Sequence, residues 1–183
     1  FNVFPILIVS FVGLLWLLKG CDGLRVSFLV GWFFGFGFFV FSLHWMAYPM
    51  LVDPAENAWL IPFAIFILPA FLSMFVGLVT LITKHLSKNS VQLVFIFPVF
   101  WVFFEWLRGN ILTGFPWNLI GYTFSDFLTI SQIASVVGIY GLSFFAIFFA
   151  CSFSLVGSKK KQNLVIPILG IAILFTLHFF GSY

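Results

Sequence analysis

Charge is what this sequence has least of. Lys, Arg, Asp and Glu together make up 7% of its residues, against about 25% in an ordinary soluble domain, and that deficit excludes a water-soluble globular fold. A net charge of +3 gives no basic face interleaved with aromatics on any soluble segment, so nucleic-acid binding is excluded as well. Cysteine is nearly missing: Cys21 and Cys151 make no metal or redox spacing. No charged region precedes the first apolar run, so no cleavable signal peptide is visible. The chain opens inside that run at Phe1 and reads as a piece of something longer; its end, "LHFFGSY", closes another run. There is no loop long enough for a soluble domain, and no internal repeat of the kind that builds many transporters.

What is present is hydrocarbon. The chain is 63% hydrophobic, with 30 Phe and a mean hydropathy of +1.21. Apolar runs approaching membrane-spanning length recur from end to end. They predict about six spans: Val3–Leu18, Val26–Tyr48, Trp59–Thr83, Val91–Leu107, Leu128–Val156 and Leu164–Phe180. The strict alternation of barrel strands is absent and an open sheet is excluded in lipid, so the fold class is an all-α, polytopic transmembrane helical bundle. Residues 1–183 form one membrane domain.

The few charges are sorted by loop. "KGCDGLR", "KHLSKNS" and "SKKKQN" hold Lys19, Arg25, Lys84, Lys88, Lys159, Lys160 and Lys161, while the intervening loops hold Asp53, Glu56, Glu105 and Asp126 with Arg108 as their one cation. Short loops rich in Lys and Arg face the cytoplasm. Both ends of the chain and the Glu105–Asp126 region are therefore expected on the outer side.

Most chemistry-bearing residues read as structural. His44 and Cys151 fall near opposite ends of their spans, about 15 Å apart in depth at ~1.5 Å per residue, beyond hydrogen-bond reach. Cys21 and His85 lie in lysine-bearing loops, and His178 has only Thr176 near it on its own helix. Ser143, in "YGLSFF", could suggest a serine hydrolase, but no base stands at matching depth, and a membrane-helix serine more often bonds backbone or a neighbouring helix. Gly31 and Gly35 in "GWFFGFGFF" lie one turn apart, a spacing that admits another helix closely. Together with the phenylalanines they suggest helices with deep, uneven grooves suited to acyl chains.

The stretch "EWLRGNILTGFPWN" differs from all of these. Glu105 and Arg108 are three residues apart, so on a helix they share a face and can pair. Ionisable groups at a membrane edge need such pairing, or water. Gly109, Gly114 and Pro116 then break the helix, and Trp106 and Trp117 suit the headgroup level. A broken, partly re-entrant segment at the outer interface is predicted, of a kind tolerated only where protein buries it or it lines a wet cavity. One reading is an anchored turn; the other is a groove for a phospholipid headgroup, with Arg108 facing phosphate and Glu105 orienting it.

"FFEWLRGNILTGFPWNLIGY" resembles the signature of the membrane domain of the apolipoprotein N-acyltransferase family. "GWFFGFGFFVFSLHW" resembles that family's glycine-aromatic span, "FNVFPILIVSFVGLLWLL" resembles an earlier one, and the likeness runs through essentially the whole chain in order. The resemblance implies transfer of an acyl chain from a phospholipid donor to the amino-terminal diacylglyceryl-cysteine of an apolipoprotein acceptor, in the bacterial inner membrane. It also implies a thioester on a cysteine of an outer nitrilase-like domain, with a glutamate and a lysine as partners. That triad maps onto no residue here, and both the nitrilase-like domain and a first span before Phe1 are expected to be absent from this chain. The expectation is a membrane portion, inactive by itself, that works with a nitrilase-like domain in cis or in trans. It would use no cofactor and no metal, and have no catalytic residue of its own. Glu105, Arg108, Trp106 and Trp117 are its candidate lipid-binding residues, and Gly31 and Gly35 its helix-packing residues. A small transporter, which would need polar groups at mid-membrane, and a non-catalytic remnant or split-gene subunit are the rival readings.

Overall fold

A computed structural model describes residues 4–111, 114–156 and 161–180. Its α-helices are α1 (Phe4–Gly20), α2 (Leu24–Leu43), α3 (Pro54–Asn57), α4 (Leu68–Leu86), α5 (Ser90–Asn110), α6 (Leu128–Ser131), α7 (Ala134–Ser152) and α8 (Val165–Phe180), and no strand occurs among the described residues. With their flanking turns they give five helical stretches long and apolar enough to cross a membrane: Leu24–Leu51, Pro54–Leu86, Ser90–Asn110, Ala134–Leu155 and Gln162–Phe180. α1, at 17 residues, reaches about 26 Å at ~1.5 Å per residue, slightly short of a hydrocarbon layer of about 30 Å. The architecture is an all-α membrane bundle.

Successive long helices reverse direction, which gathers Lys19, Arg25, Lys84 and Lys88 at one end and Asp53, Glu56 and Asp126 at the other. Lys159 and Lys160 lie outside the described residues, as does Thr113.

Two predicted spans are subdivided. The third opens on a 3-10 turn, Ala58–Leu60, and a π turn, Phe63–Ile67, before α4 begins. Pro69 has no N–H to offer the carbonyl of Ile65, and a wider turn there rephases the backbone into the helix. The fifth was expected as one helix over Leu128–Val156. Instead α6 stands apart from α7, and α7 itself breaks at Gly138 (φ 70, ψ 175), a conformation that only glycine adopts without strain.

The tightest seam joins α2 to α4. A Cβ on Gly31 would stand 2.8 Å from the Val76 carbonyl oxygen, and one on Gly35 would stand 2.9 Å from Val76 Cβ. Backbones approach this closely in membranes through small residues, because apolar burial offers helices no advantage over lipid. The Thr80 hydroxyl crosses the seam to the Ser27 carbonyl at 2.8 Å, and Trp32 Nε1 donates to the Ala70 carbonyl at 3.0 Å. At the basic end Lys84 Nζ donates to the carbonyls of Leu18 and Lys19, 3.1 Å each. That amine caps the carbonyls left open where α1 stops. α5 runs through the core, with Val94, Phe97 and Trp101 buried between α1, α4 and α7.

Candidate functional site

Glu105 and Arg108 lie near the end of α5 on its inward face, and they are 5% and 4% exposed. Such burial has to be compensated. The helix ends at Asn110, where the Ile111 N–H still reaches the Leu107 carbonyl at 3.0 Å. The chain then doubles back: the Phe115 N–H donates to the Arg108 carbonyl at 2.8 Å and the Gly114 N–H to the Ile111 carbonyl at 2.9 Å. The returning segment passes Asn118, which takes a positive φ of 58 and donates from Nδ2 to Ser42 Oγ at 2.8 Å.

Glu105 holds this return in place. Its Oε1 accepts the Ile120 backbone N–H at 2.9 Å and the Trp101 indole N–H at 3.1 Å. Beside it Ser143 Oγ, on α7, accepts the Gly121 N–H at 2.8 Å. One carboxylate and one hydroxyl thereby satisfy two successive buried amides of a non-helical segment, the groups that would otherwise forbid such backbone at membrane depth. The predicted broken segment exists, and it is tied to α5 and α7.

Direct pairing of Glu105 with Arg108 does not occur. No ion pair joins these two side chains; Oε1 is engaged by amide and indole donors. The Arg108 guanidinium instead lies 5.1 Å from the Phe39 ring centroid and 5.8 Å from that of Phe115, within cation–π range. Glu105 and Tyr140 are near enough to act on it electrostatically. Glu105 Oε2 and Arg108 Nη1 have no hydrogen-bond partner, and the two residues line one chamber of about 20 Å³. Arg108 also lines a groove of about 200 Å³ between α4 and the turn after α5, with Leu68, Phe71, Ile111 and Phe115.

Trp106 and Trp117 are 47% and 57% exposed, with Trp117 edge-on to Trp45 at 6.5 Å between centroids. A larger groove of about 520 Å³ runs between α1 and α2; Ile6, Phe34, Phe38 and Phe41 line it, with Ser10, Ser42 and Thr123 as its hydroxyls. Cys151 is fully buried, and His44 bonds the Phe41 carbonyl at 2.7 Å. His178 meets Thr129 of α6 at 2.7 Å, a partner that its own helix could not reveal. Sequence reasoning also missed Trp101 and Asn118, and gave Ser143 no neighbour. Trp101 was detectable, being one helical turn before Glu105; the other two depend on which helices meet.

Residues 1–152 match the family model for the apolipoprotein N-acyltransferase N-terminal domain. The chain belongs to the apolipoprotein N-acyltransferase family. It is 35% identical over 190 residues to an apolipoprotein N-acyltransferase of Rhodopseudomonas palustris, covering 100% of this chain and 35% of the relative. One from Allorhizobium ampelinum is 37% identical over 190 residues (98% of this chain, 36% of the relative), and one from Rickettsia prowazekii is 37% identical over 168 residues (92% and 34%). The family likeness thus extends through α8. The chain spans about a third of the length of these curated relatives.

Proposed function

We propose that this chain is the membrane portion of an enzyme that moves an acyl chain from a phospholipid to the amino-terminal diacylglyceryl-cysteine of an apolipoprotein. The observation that carries this reading is the match of the whole chain to proteins named for apolipoprotein N-acylation. The bundle's part is to seat acyl chains in lateral grooves and to hold a nitrilase-like catalytic domain, in cis or in trans, at the bilayer surface. The groove between α1 and α2 supports the first role, since it is largely apolar and carries three hydroxyls in its lining. Holding a thiol close to a glycerol ester raises its effective concentration, a proximity contribution that leaves the bond chemistry to the other domain.

Within this reading Arg108 is the partner for a headgroup phosphate, reached along the groove beside α4. Glu105 orients it by fixing the return segment, and Trp106 and Trp117 anchor the site at headgroup level. The basic loops face the cytosol, so the clamp that Glu105 and Ser143 form on the return segment opens on the periplasmic leaflet of the bacterial inner membrane.

Acyl transfer to an apolipoprotein peptide tests the division of labour. This polypeptide alone in phospholipid vesicles is expected to give no transfer, and activity without a nitrilase-like domain would overturn the reading. Added to such a domain, Arg108→Gln is expected to raise the KM for phospholipid about tenfold, the loss of one charge-assisted contact worth about 1.5 kcal/mol.

A further inference from the structure

We propose that the chamber between Glu105 and Arg108 is a binding site for one ordered water molecule, which accepts from Arg108 Nη1 and donates to Glu105 Oε2. Both side chains are more than nine-tenths buried. These two atoms are two of the three buried side-chain nitrogens and oxygens without a partner among the described residues, the third being Thr83 Oγ1. That both line one small chamber makes a shared cause the simplest account.

Size and chemistry select the occupant. About 20 Å³ exceeds the ~10–15 Å³ that a single water needs, and is far too small for a phosphate or any headgroup. The site presents a cationic donor and an anionic acceptor together. A bound cation would meet the guanidinium and a bound anion the carboxylate, whereas water supplies one lone pair and one hydrogen where each is required. Asn118 lines the same chamber, its Nδ2 engaged by Ser42. Two polar partners, Oε2 and Nη1, meet the minimum that buried waters show. The water turns two separated charges into one hydrogen-bonded unit reaching from α5 to the return segment.

The direct test is a density map of the protein in lipid nanodiscs at about 2 Å resolution. A peak roughly 2.7–3.2 Å from both Oε2 and Nη1 is expected; ordered side chains with no such peak would overturn the proposal. A second test adds a methylene to the chamber wall through Val79→Ile. Expelling the water is expected to lower the melting temperature by about 2–4 °C, and the drop is expected to shrink when Glu105→Gln and Arg108→Met remove the charges it bridges. An equal drop in both backgrounds would mean simple crowding, and a rise would mean a dry chamber; either result defeats the idea. If the neutralised variant fails to fold, the density map decides alone.

Discussion

One oxygen, Glu105 Oε1, receives both the Trp101 indole and the Ile120 amide. Replacing the residue by alanine removes an acceptor from two buried donors and leaves Arg108 without its nearest anion. Glu105→Ala is therefore expected to cost about 3–5 kcal/mol, from two buried donors left without their acceptor and a buried guanidinium left without a nearby anion, read as a fall in the thermal melting point in detergent. Glu105→Gln keeps the oxygen and is expected to lose less than half as much. Ser143→Ala strands the Gly121 N–H and removes a hydroxyl beside the Glu105 carboxylate, about 1–3 kcal/mol by the same measurement. The sequence makes Glu105 and Arg108 visible as neighbours on one helical face, and it suggests pairing. It cannot reveal that a backbone amide fifteen residues further on and a tryptophan one turn earlier are what one of the Glu105 oxygens receives. Those partners depend on where the chain goes after Asn110, which is a tertiary fact.

At the scale of elements, apolar run length locates the spans well, because the length a bilayer demands is physical. It locates breaks poorly. Leu128–Val156 reads as one hydrophobic run, yet Gly138 divides it, and glycine is common enough in membrane helices that its identity does not announce a positive φ. Gly138→Ala is expected to destabilise by about 1–3 kcal/mol through backbone strain alone, since nothing lies within 4 Å of the added carbon. The opposite case is Gly31, where the backbone is ordinary helix and the space is filled by Thr80 and Val76. Gly31→Leu is expected to prise α2 from α4 at a cost of at least about 3 kcal/mol. A cysteine pair placed across that seam would report it by losing its cross-link. The small-xxx-small spacing made this contact legible, although its partner helix was not.

For the molecule as a whole, the distribution of lysine and arginine predicts an orientation that labelling can check. In intact cells, cysteines introduced at Asp53 and Asn110 are expected to react with a membrane-impermeant maleimide, and one at Lys88 only after the membrane is opened. Reaction of the first two solely from the cytosolic face would invert the topology and place the clamp on the wrong leaflet. The clamp also bears on how the chain is made. During synthesis α5 leaves the ribosome before Ile120, Gly121 and Ser143 exist, so its carboxylate enters the translocon with no amide to receive and no hydroxyl beside it. Stable integration of this helix must wait for the downstream turn and α7, and α5 supplied alone would be a reluctant passenger into lipid.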